Sequence, residues 1–189
     1  MSSRGTLRIL RADHLQRVPW KNGGGSTAEL AVHPPGATVE NFAWHLSMAD
    51  VQGEGPFSSF PGVDRTLVLL HGDGLLLELN GTRRRVDETA PILSFSGDSV
   101  TTAKLTGGSV RDLNVMTRRG HFSHSVALIE AGPIEIDQTT LLLATARSCT
   151  VAHGNDVYRL GHLDALLVTP PLRVVIDTAV LQVRITAVL

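Results

Sequence analysis

Glycine and proline interrupt the apolar runs of this chain so often that long helices have nowhere to form. Eighteen glycines and nine prolines are spread over 189 residues, and no window keeps an i, i+3, i+4, i+7 apolar stripe for more than about three turns. What survives between the breaks is period two. Phe42, Trp44, Leu46 and Met48 alternate with Ala43, His45 and Ser47, and Leu181, Val183, Ile185 and Ala187 alternate with Gln182, Arg184 and Thr186. Further strands are predicted at 7–10, 28–32, 66–70, 75–79, 92–95, 111–116, 125–129, 141–144, 165–169 and 173–176. A dozen short strands with frequent turns predict an all-β sandwich or barrel. Only 11–16 offers a helical turn, with Asp13 as its cap.

The pattern also echoes itself. Leu70, Gly81 and Leu93 recur as Leu143, Gly154 and Leu166, each 73 residues further on, and both copies run strand, glycine turn, short strand, acidic bend, strand. Two similar β-halves are therefore expected, 1–120 and 121–189, with the join near 118–124. No low-complexity linker separates them, so they are expected to pack as one body.

Composition removes several classes of function. Seventeen Lys and Arg face eighteen Asp and Glu, for a formal charge of −1. A nucleic-acid partner is not expected from such a balance, because displacing counterions from phosphate needs a basic surplus. The basic clusters Arg83-Arg84-Arg85 and Arg118-Arg119 are expected to be solvated strand ends. With 42% hydrophobic and 19% charged residues the chain can bury a core. The longest stretches free of Asp, Glu, Lys and Arg, 30–39 and 120–129, span ten residues, far short of the roughly 20 that a membrane helix needs. Arg8 and Arg11 break any N-terminal apolar run, so no secretory leader is drawn, and a soluble cytoplasmic protein is expected. The single cysteine, Cys149, sits in a strand-like run and is expected to be a buried, inert thiol.

Three segments could carry chemistry. Pro19-Trp20-Lys21-Asn22-Gly23-Gly24-Gly25-Ser26 places three glycines in a row, which fits either a main-chain nest for an anion or a flexible hairpin. It is not a phosphate loop of the Gly-Lys-Ser type, since Lys21 precedes the glycines. Gly55 to Arg65, GPFSSFPGVDR, anchors a stiff loop with Phe57 and Phe60 and ends on Arg65. That guanidinium can offer a fork to a carboxylate or pair with a surface acid, and period two turns Asp64 away from it. In Arg111 to Arg118, Asp112, Asn114 and Met116 share one face, which points to solvent or into a lined cavity. Metal binding and nucleophilic catalysis find no support. His121 and His124 do not share a strand face, no His-x-His or His-Glu-x-x-His occurs, and Ser47, Ser58 and Ser59 lie outside any Gly-x-Ser-x-Gly elbow.

Taken together, PWKNGGG (19–25), Glu29, the Trp44 to Ala49 strand, GPFSSFPGVDR (55–65), FSGD (95–98) and DLNVM (112–116) resemble the HutD/Ves family over the first two thirds of the chain. The resemblance implies an RmlC-like cupin barrel in a two-cupin arrangement. It also implies a role in histidine utilisation, binding a small acidic metabolite such as a formylated glutamate, without an established catalytic activity. Two positions depart from the family: His45 follows Trp44 where an Arg is usual, and Leu113 replaces a Phe.

The expected site is metal-free and cofactor-free. Arg65 holds the ligand carboxylate, Lys21 and Asn22 close the pocket, Asp112 and Asn114 orient them, and Ser47 and His45 complete the lining. If Arg65 lines a wet pocket, removing it should barely change stability. The competing readings are an enzyme acting on the same metabolite, with Lys21 or His45 as general acid or base, and a protein-interaction module docking through Phe57 and Phe60. The expectation names no membrane partner and leaves room for a homodimer.

Overall fold

A computed structural model describes residues 5–188 of the chain. Met1–Arg4, on which part of the leader argument rests, and Leu189 lie outside the described residues. No helix occurs among the described residues, and none is therefore long and apolar enough to cross a membrane. The expected turn of helix at 11–16 is instead a tight turn, closed by the His14 N–H donating to the Arg11 carbonyl at 3.1 Å. One capped turn without an apolar stripe has nothing to bury and does not propagate.

Nineteen strands are described. The first six are β1 (Thr6–Leu10), β2 (Arg17–Pro19), β3 (Gly25–His33), β4 (Trp44–Val51), β5 (Gly55–Pro56) and β6 (Val63–His71). Then come β7 (Leu75–Leu79), β8 (Thr82–Val86), β9 (Ile92–Ser96), β10 (Thr101–Leu105), β11 (Val110–Arg118) and β12 (Phe122–Ile129). The last seven are β13 (Gly132–Ile136), β14 (Thr139–Leu143), β15 (Ser148–His153), β16 (Asp156–Gly161), β17 (Ala165–Thr169), β18 (Leu172–Ile176) and β19 (Val180–Ala187).

The backbone divides into two compact units, one of Gln16–Ser123 and the other of residues up to Leu15 with His124–Ala187. The first contains a six-stranded sheet, β2-β3-β4-β11-β6-β9, and a four-stranded sheet, β5-β10-β7-β8; the second contains β1-β17-β14-β19-β12 and β13-β18-β15-β16. Adding eight to each label of β9-β6-β11-β4 gives β17-β14-β19-β12, and the same operation turns one four-stranded sheet into the other. The 73-residue echo therefore marks a repeated strand order. The division differs from 1–120 and 121–189 at the front of the chain, because β1 pairs along its whole length with β17 in the second unit.

Each unit closes two sheets over apolar side chains. In the first, Ala49 and Leu67 of the larger sheet meet Leu75, Leu77, Val86 and Ala103 of the smaller, and Trp20, Phe57, Leu93 and Phe95 pack on this core. The core of the second is Leu142, Val151, Leu160, Leu166, Val168, Val174 and Ile176 with their neighbours. Each fully buried leucine of this kind contributes about 1.5–3 kcal/mol over an exposed one. Cys149 belongs to that second core, and burial pushes its thiol up to about 11.

The glycine-rich segment is a turn, not an anion nest. Two of its N–H groups already have acceptors: Gly23 donates to the Trp20 carbonyl at 3.0 Å and Gly24 to Asn22 Oδ1 at 3.0 Å. Gly23 has φ +72°, which side chains disfavour. A Cβ on Gly25 would overlap the Asp50 carbonyl oxygen and come within 3.0 Å of the Trp20 ring. Gly25→Ala is accordingly expected to destabilise the chain by about 1–3 kcal/mol, the range for overpacking. Urea unfolding checks this, and a shift under about 0.5 kcal/mol would mean that the turn relaxes freely.

Candidate functional site

The central strands β4, β11 and β6 bring the site residues together by register alone. Met116 lies between His45 and Arg65 in one row across the sheet; Asn114 lies between Ser47 and Leu67 in the next, and Asp112 between Ala49 and Leu69 in the third. Opposed residues share a face, so His45, Ser47, Arg65, Asp112 and Asn114 all stand on one side of the six-stranded sheet. Leu67 and Ala49 belong to the core between the sheets, which makes that side the interior of the unit. All five polar residues are buried. The polar face of DLNVM is therefore turned into the unit and not to solvent.

Arg65 is held by both polar and aromatic neighbours. Its Nη1 donates to the Ser58 carbonyl at 3.1 Å and its Nη2 to Asn114 Oδ1 at 2.9 Å, while Asn114 Nδ2 donates to Asp112 Oδ1 at 2.5 Å. The guanidinium carbon lies 5.9, 5.2 and 5.0 Å from the ring centres of Phe57, Phe60 and Phe95, within cation–π range. The residue is only 6% exposed. The idea of a guanidinium in a wet pocket is therefore corrected: Arg65 fills a phenyl cage, and its loss must affect packing. Asp64 points away as expected and pairs with Arg119 at 2.8 Å.

Burial governs the charges. Asp112 is fully buried, and desolvation raises its carboxyl to about 7, against the opposing pull of Arg65 and with a smaller push from Asp50. Desolvation likewise lowers Arg65 to about 10, with Asp112 resisting, so the guanidinium stays charged at neutral pH. His45 is lowered by burial more than Glu29 raises it. Its Nε2 lies 3.1 Å from Glu29 Oε2. A carboxylate accepts, so neutral His45 carries its proton on Nε2 and presents a lone pair at Nδ1. The other ring neighbour is Phe42, 5.6 Å away, which in turn packs on Phe60 at 6.3 Å.

Three buried polar atoms have no hydrogen-bond partner among the described residues: Arg65 Nε, His45 Nδ1 and Asp112 Oδ2. All three belong to the same interior face of the first unit. Leaving such atoms unsatisfied costs about 1–3 kcal/mol each, and they form one donor, one acceptor and one group whose role depends on its proton. That is the polarity of a receptor for a small anion carrying further polar groups.

A family model described as HutD matches residues 12–182. The chain belongs to the HutD family. It is 36% identical over 168 residues, 85% of each chain, to an uncharacterized 21.2 kDa protein in the hutC 3' region of Pseudomonas putida. It is 42% identical over 102 residues to the protein Ves of Citrobacter koseri, covering 53% of this chain and 52% of that one. Solved HutD from Pseudomonas fluorescens SBW25, in a formate condition, is 29% identical and superposes with a TM-score of 0.84 over 97% of this chain and all of the other. A cupin 2 conserved barrel domain protein from Leptotrichia buccalis, 7% identical, has a TM-score of 0.64 over 96% of each chain and shows the fold. The chain thus has an all-β cupin fold, and its Pseudomonas putida relative is named for its place beside hutC.

Within this HutD-family chain the motifs are split by their positions. Trp20, with its indole N–H donating to Thr27 Oγ1 at 2.8 Å, packs on the core that also holds Phe57 and Phe95. Lys21 and Asn22 are exposed in the turn between β2 and β3, and Asn22 spends its side-chain oxygen on Gly24. Among the described residues no hydrogen bond ties either to the Arg65 network. The residues that sequence reasoning did not assign are Glu29, which orients His45, and the Phe57–Phe60–Phe95 cage; the Phe-x-x-Phe spacing beside a terminal Arg was the available signal. Among the described residues no three His, Cys, Asp or Glu come together as a metal-ligand set. Arg118 donates to the Phe42 and Glu40 carbonyls and Arg119 pairs with Asp64 and Asp98, so this basic pair is committed to the fold.

Proposed function

We propose that this HutD-family protein works in the cytoplasm, where it binds a small carboxylate-bearing intermediate of histidine breakdown, of the formylated-glutamate type, and moderates histidine utilisation without turning the ligand over. The observation that carries this reading is the set of unsatisfied interior atoms around a buried cation. Arg65 meets the carboxylate, and His45 Nδ1 accepts from an N–H or O–H of the ligand. Asn114 fixes the guanidinium plane, and Ser47, across from Asn114, completes the lining. Lys21 and Asn22 are read as part of the rim. The reading is supported by the relative in the hutC 3' region and by the charge balance of the face, a guanidinium opposed by a carboxyl that burial drives toward neutrality.

Calorimetric titration with formylated and formiminated glutamate, with the same solutions assayed for product, tests it. Saturable binding with no product is the expected result. Product that disappears in Lys21→Ala or His45→Ala would replace binding with catalysis, and absence of saturable heat from any pathway intermediate would overturn the reading.

A further inference from the structure

The Arg65–Asn114–Asp112 chain contains one cation and one carboxylate, bridged by a single asparagine. Asn114 Oδ1 faces the guanidinium and its Nδ2 faces Asp112 Oδ1. Asp112 is wholly inside, and its Oδ2 has no donor. A ligand carboxylate at Arg65 would place a second negative charge one side chain away from Asp112, with only one guanidinium to serve both. Two buried carboxylates sharing a site do not both stay ionised. The ligand cannot be the one to take the proton readily, because an N-acyl amino acid is a stronger acid than a buried aspartic acid.

We propose that the site binds its anionic ligand together with one proton, which is taken up by Asp112 Oδ2. This rests on the binding reading above and adds its stoichiometry. The proton comes from the buffer and forms an O–H bond at Oδ2; no bond of the ligand breaks. Once neutral, Asp112 no longer competes for Arg65, and the full charge of the guanidinium is available to the ligand.

The other charged groups near Asp112 do not supply this behaviour. From β4, burial lowers His45 below the ordinary imidazole value while Glu29 of β3, 3.1 Å from its Nε2, opposes the shift, and Asp50 is tied on the opposite face by Arg17 and Arg111. From β6 the charged neighbour is Arg65 itself. The facing sheet contributes Leu75, Leu77, Val86 and Ala103 to the core around Ala49 and Leu67. With Asp112 in the free protein titrating at about 7, the linkage sign is fixed. Near pH 6 the proton is already present and binding takes up almost none; near pH 8 it must be acquired, so affinity falls as pH rises.

The test is calorimetric titration of the full chain with N-formyl-L-glutamate at pH 6 and pH 8, each in two buffers of different ionisation enthalpy. The expected result is uptake of close to one proton at pH 8, almost none at pH 6, and affinity about tenfold weaker at pH 8. Asp112→Asn is expected to remove both the buffer dependence and the pH slope. Saturable binding with no buffer dependence at pH 8 would overturn this inference and leave the binding reading standing. No saturable heat at pH 6 would end both. The wild-type buffer comparison decides the matter even if the variant fails to fold.

Discussion

Asp112→Asn is expected to gain stability over the parent chain by on the order of 4 kcal/mol as the pH is raised from 4 to 8. Asp112 titrates in the folded protein at about 7 against 3.8 for the ordinary carboxyl, a difference of about three decades at about 1.4 kcal/mol each. Between these values the folded state keeps a proton that the unfolded chain has released, so raising the pH favours unfolding. The loss is complete above about 7. Burial in a fully enclosed position outweighs the attraction of Arg65, and this is why the shift is upward. Asparagine cannot ionise and keeps an oxygen for Asn114 Nδ2. Every other group is common to both proteins, so the difference between their urea unfolding curves at pH 4, 6 and 8 isolates Asp112. Parallel curves would show that this carboxyl ionises like an exposed one.

Arg65→Met is expected to bind N-formyl-L-glutamate about ten- to a hundredfold more weakly than the parent. A charge-assisted hydrogen bond contributes about 1.5–3 kcal/mol, and about 1.4 kcal/mol is a decade of affinity. Methionine is chosen because the side chain is enclosed by Phe57, Phe60 and Phe95. Alanine would leave a void between three rings and mix a folding defect with a binding defect, whereas an unbranched thioether fills the space. Arg65→Lys keeps the charge without the planar donors and should fall between the two. Calorimetry at pH 6, with thermal unfolding of each variant, separates affinity from folding. Binding by Arg65→Met equal to that of the parent would remove Arg65 from the ligand contact.

Period-two patterning makes most strands legible in the sequence itself. The stretches 75–79 and 165–169 coincide with β7 and β17, because short apolar runs bounded by Gly, Asp or Pro leave little freedom for their ends. The strands it passes over are those whose side chains are mostly polar or exposed, such as β8 with Arg83 to Arg85 and β10 with Thr101, Thr102 and Lys104. The same patterning cannot say what each face of a strand meets. In β4 the alternation of Trp44, Leu46 and Met48 with His45 and Ser47 looks like core against solvent, yet His45 and Ser47 are buried as well. Alternation reports a change of face, and a polar barrel interior gives the same signal as water. The linked identities of Arg65, Asn114 and Asp112 are readable as motif residues, but their order in a single hydrogen-bonded chain depends on register between strands about 50 residues apart in sequence, which no local pattern encodes.

The three consecutive arginines, expected from the sequence to form a solvated strand end, acquire a more definite meaning from their place in the sheet. β8 pairs with β7 on one side only and ends the order β5-β10-β7-β8. A free edge of this kind exposes a row of main-chain donors and acceptors that invites a strand from another molecule. Arg83, Arg84 and Arg85 are all exposed there, with Glu78 and Asp87 beside Arg83 and Arg85. Two copies meeting edge to edge would set arginine triplets against one another. The cluster thus works against strand addition at this edge.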